Sequence, residues 1–231
     1  MLKMTRNTDL FILKHDEFRG LSKFIKDIEE HRIVNSCLSG VWQGTAFDID
    51  SLYPVDVVNY ANKSQLDIES AYLKLKTLLT ELLRTIATLP TDRFGTFLVT
   101  TLISDFTYDD LKLELCVRFN KSTIPLISGQ MPRGCFSYYD SRMDKVATSK
   151  KYILAEYLQS RYWELKKYGL FKISVQQLRL EINLENEYKR RTDFINKLIK
   201  PTLIELEDIR GDKITVTRVR NLLEFAGTVM G

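Results

Sequence analysis

The chain has 231 residues, 44% of them hydrophobic, with 34 Lys+Arg against 30 Asp+Glu and a formal net charge of +4. That composition excludes a disordered chain and allows one large domain or two of about 110 residues each. No apolar run approaches the roughly 18–20 residues that cross a bilayer, and the N-terminus lacks a sustained apolar stretch followed by a small-residue cleavage site. No membrane attachment is expected, and the expected location is cytoplasmic.

The charge is uneven. From Lys150 to the end there are 16 Lys/Arg and 11 Asp/Glu, so the last third is about +5 and the rest about −1. A basic C-terminal part suits a polyanion, most often nucleic acid. The cysteines, Cys37, Cys116 and Cys135, are odd in number and form no CxxC. They are expected to be buried free thiols in a reducing compartment.

In chain order, a first helix is expected from about Ser22 to Leu38, with Phe24, Ile25, Ile28, Ile33, Val34, Cys37 and Leu38 inward and a break at Ser39-Gly40. Phe47-Asp48-Ile49 reads as a short strand. Pro54 is placed to open a helix at its N1 position. Asn62–Ser64 reads as a turn, and Asp67 as the N-cap of a helix over Ile68–Leu89 with Leu75, Leu78, Leu79, Leu82, Leu83 and Ile86 in its stripe. Pro90 would end that helix. Phe97–Phe106 and Leu111–Phe119 read as a hairpin turning at Thr107–Asp110. Helix, short strand, helix, turn, helix and hairpin, in that order, make a winged helix. Ser122–Ser128 is a short helical or irregular piece. Gly129–Gly134 is the best linker, with the region to about Ala147 bridging the halves.

The second half repeats the scheme. Ser149–Lys167 is expected as a helix capped by Gly169, Phe171–Ile173 as a strand, Ser174 as the N-cap of a short helix, and Asn183–Glu187 as a turn. Tyr188–Asp208 follows. It opens with Lys189, Arg190 and Arg191, then places Phe194, Leu198, Thr202 and Leu206 at helical spacing, widened by Ile195, Ile199 and Leu203. One face of this helix is buried and its start is strongly positive, as in a recognition helix. Pro201 inside the pattern predicts a kink or a fresh start. Ile214–Val219 would begin a second wing. FDID at 47–50 matches FKIS at 171–174, and LTELLRTI at 79–86 matches TLIELEDI at 202–209 at an offset of about 123, so two homologous domains are expected, 1–130 and 131–231.

Thr148, Ser149, Lys150 and Lys151 lie at a predicted helix N-terminus, which favours either a phosphate or a simple N-cap. Tyr152, Tyr157, Tyr162 and Trp163 could stack on single strands, but at helical spacing they read as core.

From Ser149 to Ile209 the chain resembles the theta-type, iteron-binding plasmid replication initiators. It carries a Ser before an aromatic-rich helix, a Gly, a short helix, and then Tyr188, Asp193, Phe194, Lys197, Ile199, Pro201 and Glu205 in register with that family's pattern. IEEHRIVNSCLS, AYLKLKTLLTELL and LKLELCVRFN are looser landmarks of its first domain, and the resemblance spans about 25–215. It implies a mainly α fold with small β-hairpins, built as two tandem pseudo-symmetric winged-helix domains. By the same resemblance the first domain carries dimerisation and auxiliary DNA contacts, and the second is the main DNA reader. The implied function is sequence-specific binding of double-stranded DNA at repeated origin sites, with origin opening and recruitment of host replication proteins. A homodimer in equilibrium with monomer is implied, and no cofactor. Arg190, Arg191 and Asn196 are then candidates for base contacts; Lys189, Lys197 and Lys200, with Ser149, Lys150 and Lys151, for phosphates; and Lys74, Lys76 and Arg84 for auxiliary contacts. The chain departs from the family where Ile195 and Asn196 follow Phe194 in place of cations, and at its end, which reads as a less regular second wing.

The alternative is a winged-helix transcriptional repressor without a replication role; a third reading keeps the fold without DNA binding, against which the Lys189–Arg191 run argues. A nicking initiator needs a His-hydrophobe-His metal motif, whereas His15 and His31 are far apart. P-loop and GxSxG motifs are absent, so no catalysis and no metal are expected.

Overall fold

The structure is a computed structural model that describes residues 11–15, 25, 27–41, 50–90, 97–123 and 136–229. The chain divides into two compact units, Met1–Phe136 and Ser137–Gly231.

In the first unit, strand β1 (Phe11–His15) precedes helix α1 (Ile28–Val41), which buries Ile33 and Val34. The Asp27 carboxylate accepts the Glu29 N–H at 2.8 Å, so the helix starts at Ile28 rather than near Ser22. It also runs through Ser39-Gly40, because one glycine costs a helix only about 1 kcal/mol. Phe47–Ile49 lies outside the described residues. The short strand found is β2 (Tyr53–Pro54), so Pro54 does not open a helix. Helix α2 (Val57–Ser64) starts instead at Asp56, whose carboxylate accepts the Asn59 N–H at 2.9 Å. It continues through Asn62–Ser64, and the chain turns at Gln65, which is left-handed (φ 54°).

Asp67 caps helix α3 (Ile68–Arg84) as expected, accepting the Ser70 N–H at 2.8 Å. Ala71, Tyr72, Leu75, Leu78, Leu79 and Leu82 form its buried stripe, each large side chain contributing roughly 1.5–3 kcal/mol of burial. The helix stops at Arg84, five residues before Leu89. Strand β3 (Ile86–Pro90) follows and pairs antiparallel with β4 (Phe97–Thr101), leaving Ile86 60% exposed. The β-branched Thr85, Ile86 and Thr88 favour that extended geometry over continued helix. The expected 97–106 strand is split at Leu102. Its second part, β5 (Ile103–Asp109), pairs with β6 (Glu114–Phe119). The hairpin turns at Asp110–Leu113, not Thr107–Asp110, because Asp109 accepts the N–H groups of Leu111 and Lys112 and Leu113 is left-handed. Leu111 is therefore 97% exposed at the tip, while Leu115, Val117 and Phe119 are buried in alternation. The sheet order is β2-β6-β5.

Strand β7 (Phe136–Asp140) starts at the boundary and, in the second unit, it and a tight turn (Ser141–Lys145) lead into two helices where one was expected, α4 (Ser149–Ser160) and α5 (Tyr162–Tyr168), broken at Arg161. The linker candidate Gly129–Gly134 lies outside the described residues. Every residue from Tyr152 to Leu158 is buried, which makes α4 the central helix of its unit. Of the aromatic cluster, Tyr152, Tyr157 and Tyr162 are core, but Trp163 is 53% exposed, because the break at Arg161 turns it outward. Gly169 ends α5 at φ 72°, a left-handed cap. Strand β8 (Leu170–Ser174) leads to helix α6 (Val175–Glu181), capped by the Ser174 hydroxyl, which accepts the Gln177 N–H at 3.0 Å.

Helix α7 is built of three joined pieces, Arg191–Asp193, the wider π-helical turn Phe194–Ile199, and Lys200–Arg210. Phe194, Leu198, Ile199, Thr202, Leu203 and Leu206 are buried as the spacing predicts. Strands β9 (Lys213–Val219) and β10 (Leu222–Thr228) then form a regular wing joined by Arg220-Asn221, and β10 pairs with β8, giving the order β8-β10-β9. The irregular ending expected from the sequence is thus a regular three-stranded sheet. Phe171 stacks on Phe225 at 4.9 Å across it. Gly227 lets β10 lie close against β9, since a Cβ there would meet the Lys213 carbonyl oxygen at 1.9 Å.

Candidate nucleic-acid interface

The cations Lys189, Arg190 and Arg191 stand at the start of α7, Lys189 and Arg190 exposed and Arg191 half-buried. Their position is set from behind. Tyr188 is left-handed (φ 53°), its ring lies 5.7 Å from Phe194, and its carbonyl accepts a hydrogen bond from the Arg179 guanidinium. That same guanidinium lies 5.1 Å over the buried Phe194 ring. Arg190 is the N-cap residue in extended conformation and makes no side-chain cap hydrogen bond. The first N–H groups of α7 therefore have no side-chain cap, and the positive end of the helix dipole adds to three cations. Between α6 and this helix start lies a groove of about 490 Å³, lined among others by Gln176, Arg179, Glu185, Lys189 and Arg191.

Further along α7, Asn196, Lys197 and Lys200 are exposed, opposite the buried stripe, with Ile204 60% exposed beyond them. Lys197 lies 3.7 Å from Asp193, one turn back, a solvent-exposed pair of little strength.

Ser149, Lys150 and Lys151 are at a helix N-terminus, as expected, but Thr148 is the N-cap and the anions there belong to the protein. Lys150 pairs with Glu187 and lies 5.9 Å from the Tyr188 ring; the Glu187 carboxylate holds the ammonium pKa above its usual value. Lys151 pairs with Glu205 of α7, whose other oxygen accepts the Ala147 N–H at 3.3 Å. These contacts fasten α4 to the middle of α7.

In the first unit, Lys74 is exposed and sits 5.8 Å over Tyr60, and Arg84 is exposed. Lys76 is engaged: its ammonium lies 2.9 Å from Asp110 and 3.4 Å from the centre of the Tyr108 ring.

The sequence reading missed two features. One is Arg179, which is an ordinary-looking cation until the fold places it under Tyr188. The other is the wing tip, where Arg218 and Arg220 are exposed and the Arg218 side chain donates to the Arg220 carbonyl at 3.1 Å. The TRVRN spacing at 217–221 carried that signal once the strand pairing was known. Among the described residues, Cys116 is a free thiol whose pKa burial pushes up, no group of His, Cys, Asp and Glu is arranged to hold a metal, and no helix is long and apolar enough to cross a membrane. Cys37 and Cys135 lie outside what is described of side chains.

No protein-family model and no curated protein matches the sequence. Solved structures match the fold. The Pi initiator protein in complex with iteron DNA superposes with a TM-score of 0.79 at 17% identity, over 97% of this chain and 99% of that one. The WH1 domain of MSBI1.176, a replication protein isolated from a multiple sclerosis patient, matches 49% of this chain and 88% of its own at 17% identity, with a TM-score of 0.40. The first likeness establishes the fold: mixed α+β, two winged-helix domains in tandem.

Proposed function

We propose that this chain is an iteron-binding plasmid replication initiator that recognises repeated double-stranded origin DNA, opens the origin and recruits host replication proteins. The observation that carries the reading is α7, with an uncapped, triply cationic start and an exposed Asn196–Lys197–Lys200 face on a rigidly buried stripe. The likeness over nearly the whole chain to an initiator bound to iteron DNA supports it. In this reading Arg190, Arg191 and Asn196 contact base edges in the major groove, while Lys189, Lys197 and Lys200 hold phosphates. Lys150 and Lys151 join them if phosphate displaces Glu187 and Glu205. The second domain, 131–231, is the main reader; the first, 1–130, adds contacts through Lys74 and Lys76 and carries a homodimer interface in equilibrium with monomer.

The test is a replicon that depends on the chain. Duplex sites selected from a random pool are placed as repeats on a plasmid without a working origin, in cells that express the chain. Maintenance of that plasmid only with the repeats and the chain is the expected result. Tight binding that silences an adjacent promoter but never sustains the plasmid would make the chain a repressor.

A further inference from the structure

The recognition helix and its counterpart in the first unit differ by one residue, and the difference is localised. Before the wide turn, α7 and α3 align at an offset of 123: the N-caps are Asp67 and Arg190, Ala71 corresponds to Phe194, and Leu75 to Leu198, all four of the latter buried. After it they align at 124, one residue beyond the sequence match of 79–86 with 202–209: Leu78, Leu79 and Leu82 correspond to Thr202, Leu203 and Leu206, again all buried. One residue has been inserted, and the π turn Phe194–Ile199 is where it is absorbed. The hydrogen bonds agree. The Phe194 N–H reaches back four residues to the Arg190 carbonyl, but the Lys200 N–H reaches back five, to Ile195.

An ordinary α-helix advances about 100° per residue, so an unabsorbed insertion would swing the helix start by about that angle relative to the rest. Phe194 would leave the buried stripe and the cations at 189–191 would leave the face shared with Asn196, Lys197 and Lys200. Pro201 is the residue that favours the wide turn. It has no N–H to give, and its ring would collide with the carbonyl four residues back, that of Lys197, in a closed α-turn. Helix α3 has no proline and is α-helical throughout.

We propose that the inserted residue and Pro201 together form a phase-setting element that brings the cationic helix start and the Asn196–Lys197–Lys200 face onto one DNA-reading surface, and so determine which sequence is read. This rests on the proposed DNA-binding function. Ile195, at the turn, and Pro201 act as positioning residues; neither needs to touch DNA.

The experiment compares the full-length chain with three variants: Asn196→Ala, which removes a side chain and keeps the length; deletion of Asn196, which removes the inserted residue; and Pro201→Ala, which keeps every side chain of the reading face. Each is measured on the selected duplex and on random duplex, with circular dichroism and thermal melting as controls for folding. Asn196→Ala should lower the preference for the selected duplex about 10-fold, the loss expected of one base contact. The deletion and Pro201→Ala should each reduce it to within a few-fold of random duplex, and Pro201→Ala should leave random-duplex binding level, with the circular dichroism of a folded chain. A deletion no worse than Asn196→Ala overturns the inference. If the deletion does not fold, Pro201→Ala decides, and a folded Pro201→Ala variant that keeps its preference overturns it. Loss of all preference in the unaltered chain would remove the DNA-reading function, and this inference with it.

Discussion

The Arg179 guanidinium donates a hydrogen bond to the backbone carbonyl of Tyr188, nine residues on, and so fixes the turn from which the three cations of α7 project. Replacing Arg179 by Ala removes that bond and the cation over Phe194 and leaves the carbonyl without its partner. A loss of about 1–3 kcal/mol in urea unfolding is expected. Binding to selected duplex should fall further than binding to random duplex, because the helix start loses its fixed position. A variant with unchanged preference would show that the turn holds itself.

Arg191→Ala separates base reading from charge. A base contact predicts a loss of roughly 1–3 kcal/mol confined to the selected sequence. Equal losses on selected and random duplex, with a salt slope lower by about one, would assign Arg191 to a phosphate instead.

In the first unit, Asp110 accepts the Tyr72 hydroxyl at 2.5 Å and pairs with Lys76, and these hold its carboxyl below the usual aspartate value, the tyrosine bond first. A depressed carboxyl contributes stability that is complete above its unfolded value and disappears as pH falls through the folded one. Asp110→Asn should therefore be less stable than the parent at neutral pH, and the two should converge below the ordinary aspartate range. Burial, with the Asp110 bond second, pushes the Tyr72 hydroxyl up to about 12. Its contribution lies on the alkaline side: it is present below the ordinary tyrosine value and is lost as pH rises through about 12. Parallel acid-limb melting curves for the parent and Asp110→Asn would contradict the carboxylate assignment.

The buried pair Arg210–Asp212 joins the end of α7 to the second wing at 2.8 Å, and the Tyr162 hydroxyl also donates to Asp212. Asp212→Ala leaves a buried guanidinium without its carboxylate, at a cost of about 3–5 kcal/mol. Urea unfolding of the isolated variant measures it; a cost under about 1 kcal/mol would mean that solvent reaches the site.

The buried stripe of α7 was legible because its large apolar residues recur at helical spacing, and the caps at Asp67, Ser174 and Gly169 because each residue type has one strong local use. The end of α3 was not. Leu83 and Ile86 continue the apolar pattern, and only pairing with Phe97–Thr101 shows that Ile86 belongs to a strand. The wide turn in α7 was half legible: Pro201 announced a disturbance, but the one-residue phase shift needs burial on both sides of it. At the helix start the cations could be read from the sequence, whereas Arg179 beneath them and the carboxylates that engage Lys150 and Lys151 could not, since those partners are 9, 37 and 54 residues away.

The central claim is that α7 reads a DNA sequence. The most direct measurement is an electrophoretic shift of the full-length chain across a salt series, on the duplex selected from a random pool and on random duplex. The account predicts a single repeated site bound at least about 10³-fold more tightly than random duplex, with the preference kept as salt rises. Uniform affinity across sequences that collapses with salt would contradict it, leaving the cations of α7 as an electrostatic surface without a reading function.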